Sequence, residues 1–153
     1  MNVNLIFAII FAIIVMIVVI FFAAGQFSDL FEIQNQATFY NQVTEFDKTV
    51  NRVADMSMGS TQQFEFNMPS QISKVCFIDR NNPESNPPGN WETTNIIEAM
   101  ITDNDYNLFI YDEKKGIPEG KKINYLIPRE NFCISSSKTL WIENKGRYVT
   151  ITE

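Results

Sequence analysis

The chain divides by its pattern of apolar and polar positions into three stretches. From Leu5 to Ala24 every residue is apolar, and the first charged residue is Asp29. At about 1.5 Å per residue such a run spans roughly 30 Å, the thickness of a bilayer core. A helix of a soluble core carries a polar face, and this stretch has none. Residues 1–25 are therefore expected to form a transmembrane or assembly helix, with Leu5, Ile9, Ala12, Met16, Val19 and Ala23 as its assembly residues. A cleaved secretory signal is the alternative, with Ala23-Ala24-Gly25 as a small-residue cleavage site. Against it, the run exceeds the usual apolar region of about 7–15 residues, and Met1 to Asn4 contains no Lys or Arg.

Past Gly25 the pattern becomes two-sided. Residues 27–54 contain no Pro or Gly, and apolar residues recur at Leu30, Ile33, Ala37 and Tyr40 and again at Phe39, Val43, Phe46, Val50 and Val53. Steps of three and four place them on one stripe of a helix. The spacing predicts one long helix from about Asn4 to about Met56, ended by Ser57-Met58-Gly59-Ser60, whose second part (residues 26–57) is amphipathic. The stripe Phe39, Val43, Phe46, Val50 and Val53 is the expected packing face for a sheet.

Residues 58–153 read as strands and turns. Phe64, Phe66 and Met68 alternate with polar neighbours. Ile72 to Asp79 is the strongest buried strand, and Asn107 to Tyr111, Ile123 to Ile127 and Phe132 to Ile134 are shorter ones. Thr93 to Ile101 is expected to be a short helix capped by Thr93 or Thr94. Thr139 to Glu143 and Tyr148 to Thr152 alternate well and are joined by Asn144-Lys145-Gly146, a hairpin connection with Gly where φ > 0 is needed. Arg80–Asn90 and Asp112–Gly120 are expected to be exposed loops and are the candidate partner contacts. The predicted fold class is α+β: a long N-terminal hydrophobic helix continuing as an amphipathic helix, packed on a small, mainly antiparallel β domain.

With 153 residues there is room for one ordinary domain besides the apolar segment. The net charge of −6 argues against nucleic acid as a partner. The flank from Gln26 to Asp47 holds Asp29, Glu32, Glu45 and Asp47 before the first cation, Lys48. With no basic stop on that side, the C-terminal part is expected to lie outside the cytoplasm. Cys76 and Cys133 are an even pair in apolar runs, and a disulfide between them fits an oxidising compartment; two unlinked buried thiols are the alternative.

Catalytic chemistry finds little footing. There is no His, so neither a Ser-His nor a Cys-His pair can form, and two Cys fall short of a zinc site. No Gly-rich phosphate loop occurs. Asp103, Asp105 and Asn107 reproduce the opening of a calcium loop, but Leu108 stands where the sharp-turn Gly belongs and Lys114 where the bidentate Glu belongs. A polar turn accounts for the same residues. Trp141 is expected in the core, and Trp91, in a Pro- and Asn-rich loop, is open between core and contact. No enzyme, cofactor or metal is expected.

The layout resembles the type IV pilin superfamily, including archaeal pilin-like proteins. It has the all-apolar segment from Leu5 to Ala24, the amphipathic continuation to about Met56, and a β domain carrying Cys76 and Cys133. Met1 to Asn4 is not the short basic leader of a pilin precursor, and Leu5 and Ile6 stand where many bacterial pilins carry an acidic residue. The resemblance implies a structural subunit of a pilus-like surface filament, self-assembling through its N-terminal helix. The alternative is a membrane-tethered accessory or binding domain of an envelope complex that does not polymerise. The expected partners are membrane lipid, copies of the chain or other envelope proteins.

Overall fold

The computed structural model describes residues 3–83, 95–113 and 115–153. The chain forms two compact units, Met1–Thr38 and Phe39–Glu153, and the division falls inside helix α1 (Val3–Ala54). In the first unit the described apolar side chains, Val3, those from Ile6 to Phe22, Ile33 and Ala37, are all exposed. The fold-class expectation is corrected here. Among the described residues no helix is long and apolar enough to cross a membrane.

The second unit is α+β. It contains α1 from Phe39 onward, helix α2 (Asn95–Asn104) and seven strands among the described residues: β1 (Thr61–Phe66), β2 (Ile72–Phe77), β3 (Leu108–Asp112), β4 (Glu119–Lys121), β5 (Phe132–Ile134), β6 (Lys138–Asn144) and β7 (Val149–Thr152). They form two antiparallel sheets, one in the order β1-β6-β7 and one in the order β4-β3-β2-β5.

Period-two alternation sorts the side chains. In the three-stranded sheet Phe66, Leu140, Ile142, Val149 and Ile151 point inward and are buried. In the four-stranded sheet Val75, Phe77, Leu108 and Ile110 point into the same core, where Phe39, Val43, Phe46, Val50 and Val53 of α1 meet them. Phe46 carries α1 into an aromatic cluster centred on Phe66, with ring centroids 5.3, 5.1 and 5.7 Å from Phe64, Phe66 and Phe77. The four-stranded sheet buries its other face too. Cys76, Ile78 and Phe109 cluster with Ile101 of α2, with Met100, Tyr106, Tyr111 and Cys133 packed around them. Gly120 is required there, because a Cβ on it would stand 2.2 Å from the Tyr106 ring.

Two details depart from the sequence reading. Ile123 to Ile127 is a turn, not a strand. Tyr125 adopts φ 62°, and a single parallel bridge joins Leu126 to Val149. The inward residues, Ile123 and Leu126, are three apart, so alternation fails. Trp141, expected in the core, is 48% exposed. It shares its parity with Thr139, while Leu140 and Ile142 point inward, so the core face of β6 has no place for it.

Candidate functional site

The apolar stretch of α1 is the first candidate. Ile9, Ala12, Met16 and Val19 are exposed, and so is every other residue from Ile6 to Phe22, with Phe21 reaching 77%. The side chains of Leu5 and Ala23 lie outside the described set. Because consecutive residues are exposed over more than four turns, the apolar surface surrounds the helix. It carries no ionisable group. Contiguous apolar surface of this extent marks a site of association.

The chemistry of the second unit is structural. Three buried asparagines tie loops and helix ends together. Asn144 donates from Nδ2 to the carbonyls of Val53 (2.8 Å), Ala54 (3.1 Å) and Met56 (2.8 Å), closing the C-terminus of α1. Its Oδ1 accepts from the Gly146 N–H, and Gly146, at φ 95°, makes the hairpin turn that allows this. Helix ends leave carbonyls without intrahelical partners, and here a side chain of β6 supplies them. Asn107 donates to the carbonyls of Ile123 and Leu126, both at 2.9 Å, and accepts from the Ile123 N–H at 2.8 Å. These bonds hold the start of the 123–126 turn, and the Val149 N–H of β7 holds its end by donating to the Tyr125 carbonyl. Asn131 accepts from the Asp79 N–H and donates to the carbonyls of Asn82 and Pro83.

A charged cluster joins α1 to the loop before β4. The Tyr40 hydroxyl donates to Glu119 Oε2 at 2.7 Å, and Lys115 Nζ donates to the Tyr40 oxygen at 3.1 Å and to Glu119 Oε2 at 3.0 Å. Burial and the bonded carboxylate push the Tyr40 hydroxyl above its usual range. Burial works to raise the Glu119 carboxyl, but the bonds from Tyr40 and Lys115 outweigh it and hold the group low. The bonds to Tyr40 and Glu119 raise the Lys115 ammonium. All three groups thus keep the protonation state in which they bind one another. Tyr111, facing the α2 side, is pushed up to about 12 by burial.

The calcium-like residues do not converge. Asp105 lies 2.7 Å from Lys122 and 3.6 Å from Arg80, and the Lys122 bond holds its carboxyl low. Asn107 points inward to the 123–126 turn. Among the described residues no group of three or more Cys, Asp or Glu could hold a metal ion. Cys76 and Cys133 are joined in a disulfide between β2 and β5, with Cα atoms 4.0 Å apart across directly paired positions.

Arg80–Pro83 of the first loop is described and is pinned by Asn131, while Trp91, Thr93, Thr94 and Lys114 lie outside the described residues. Sequence reasoning missed the asparagines, whose polarity suggested turns and not burial. Only the strand parity of Asn144, in step with Leu140 and Ile142, could have revealed one of them. Comparison with known proteins returns no matching family model, curated protein or solved structure.

Proposed function

We propose that this chain is a non-enzymatic structural subunit that assembles with copies of itself through the apolar part of α1, in the manner of a type IV pilus-like surface filament. The observation that carries the reading is the exposure of apolar side chains on all sides of the helix from Ile6 to Phe22. Water disfavours that surface in proportion to its area. A bundle of copies removes it on every side at once, which a groove on one partner does not. The second unit supplies a compact, disulfide-tied body whose hydrogen-bonded clusters are all structural. The Cys76–Cys133 disulfide supports a location outside the cytoplasm.

The test is to purify the full-length chain in detergent, remove the detergent, and image the product by electron microscopy. Uniform filaments that fail to form from an Ile9→Asp/Val19→Asp variant support the proposal. Monomers, amorphous aggregate, or filaments indifferent to both substitutions overturn it.

A further inference from the structure

The outer face of the three-stranded sheet belongs to neither the core nor the assembly helix. Strand parity sets its composition. Thr61, Gln63 and Glu65 of β1, Thr139, Trp141 and Glu143 of β6, and Thr150 and Thr152 of β7 all point to this side. A fourth ribbon continues it. The segment 125–129 runs alongside β7, with the Ile127 N–H donating to the Val149 carbonyl and the Arg129 N–H to the Ile151 carbonyl. Since Leu126 and Pro128 are buried, Ile127 and Arg129 take the outward parity.

The registers place Gln63 opposite Trp141 and Trp141 opposite Thr152, and Arg129 follows on the adjoining ribbon. An amide, an indole, a hydroxyl and a guanidinium thus stand in one row across the strands. At about 4.8 Å between strands the row is roughly 14 Å long. Two surface depressions, of about 570 and 400 Å³, lie at the end of the row formed by Thr152 and Arg129, which line both. The larger also holds Asp79, Tyr148, Thr150 and the Glu143–Lys145 pair. Among the described residues Arg129 makes no ion pair, and its guanidinium carries five donors.

We propose that this face is a binding platform for a neutral glycan, a short chain of hexopyranose units. An exposed indole offers a rigid apolar plane for the C–H face of a sugar ring. The groups in line with it offer donors and acceptors at the spacing of ring hydroxyls. The charges favour a neutral ligand. Lys138 with Glu153 and Lys145 with Glu143 cancel pairwise. Arg129 shares the larger depression with Asp79, and Glu65 adds a negative charge to the same face, so no cationic field is left for an anion. The alternation of hydroxyls, amide and charge argues against a protein partner that needs an apolar footprint.

The experiment titrates the full-length chain, held monomeric in a zwitterionic detergent without a sugar headgroup, with hexasaccharides of glucose, mannose, galactose and N-acetylglucosamine. Oligogalacturonate is the acidic contrast. Binding is read by calorimetry. The proposal expects at least one neutral hexasaccharide to bind more tightly than oligogalacturonate. Trp141→Ala is expected to weaken that binding by about tenfold or more and Arg129→Gln by about threefold to tenfold, while Trp141→Phe keeps it within about threefold. Both positions are exposed, so unchanged thermal unfolding of the variants shows that the fold is intact. No binding across the panel, preference for the acidic chain, or binding indifferent to Trp141→Ala overturns it.

Discussion

Between Ile6 and Phe22 helix α1 exposes apolar side chains all round, whereas between Phe39 and Val53 it buries a single stripe of them under two sheets. Phe and Val supply apolar side chains to both stretches of this one element. What differs is periodicity. The later stretch sets its apolar residues three and four apart and leaves Gln42, Glu45 and Lys48 to solvent, so one sheet-lined trough satisfies it. The earlier stretch has no polar side to leave outside, and no single trough could cover it. An apolar helix is committed to a fold by the polar residues it contains as much as by the apolar ones.

That contrast breaks first at Phe46. Phe46→Ala removes the fully buried ring that α1 contributes to the aromatic cluster and is expected to lower the stability of the second unit by about 3–5 kcal/mol, read by denaturant unfolding in monomer-maintaining detergent. Phe11→Ala, an equal loss of side chain in the exposed stretch, is expected to leave that unfolding within about 0.5 kcal/mol while weakening self-association. Equal effects would erase the distinction between the two stretches.

The disulfide ranks beside the core. With Cys76 and Cys133 separated by 57 residues, replacing both by Ala is expected to cost about 4 kcal/mol on the chain-entropy account. Comparing the melting of the variant with that of the oxidised parent checks this. A shift of only a degree or two would mean that sheet pairing alone holds β5.

Asn144→Ala leaves the carbonyls of Val53, Ala54 and Met56 without their donor. It is expected to cost about 1–3 kcal/mol and to speed hydrogen exchange in the last turn of α1 while leaving the turns near Phe39 protected. Uniform loss of protection along the stripe would show that the cap acts on the whole unit.

The smallest expected effect is a pH dependence. Tyr111 is raised by burial to about 12 from its ordinary 10.0. The unfolded chain therefore releases this proton first. Tyr111 contributes its full stability below pH 10, and that contribution declines as pH rises from 10 towards 12. The denaturant midpoint should fall across this window, and Tyr111→Phe should remove part of the fall. A Tyr40→Phe control separates the contribution of the other raised tyrosine.

Much of the second unit was legible in the sequence. The stripe from Phe39 to Val53, the buried run beginning at Ile72 and the final hairpin all follow from periodicity, and all three are found where the pattern put them. The 123–127 turn was not legible, because Asn107, sixteen residues earlier, and backbone bonds to β7 hold it in place of an alternation of its own. The exposure of Trp141 was legible in principle, since its place in the alternation of β6 decides it. The size of the residue argued the other way. The candidate surfaces divide similarly. The apolar helix is plain in composition, whereas the row from Gln63 to Arg129 exists only once three strands and a loop are in register.

The contact between Asn144 and the end of α1 joins positions 91, 90 and 88 residues apart. A chain emerging from the ribosome or through an export channel presents α1 long before β6, so the helix stays open at that end until synthesis is nearly over. Folding of the second unit is then gated by its last hairpin. The reaction is one of high contact order, slow to start and completed in a single closing event. During that interval the apolar residues from Phe39 to Val53 stand as exposed as those from Ile6 to Phe22, and a chaperone would meet two sticky stretches and not one.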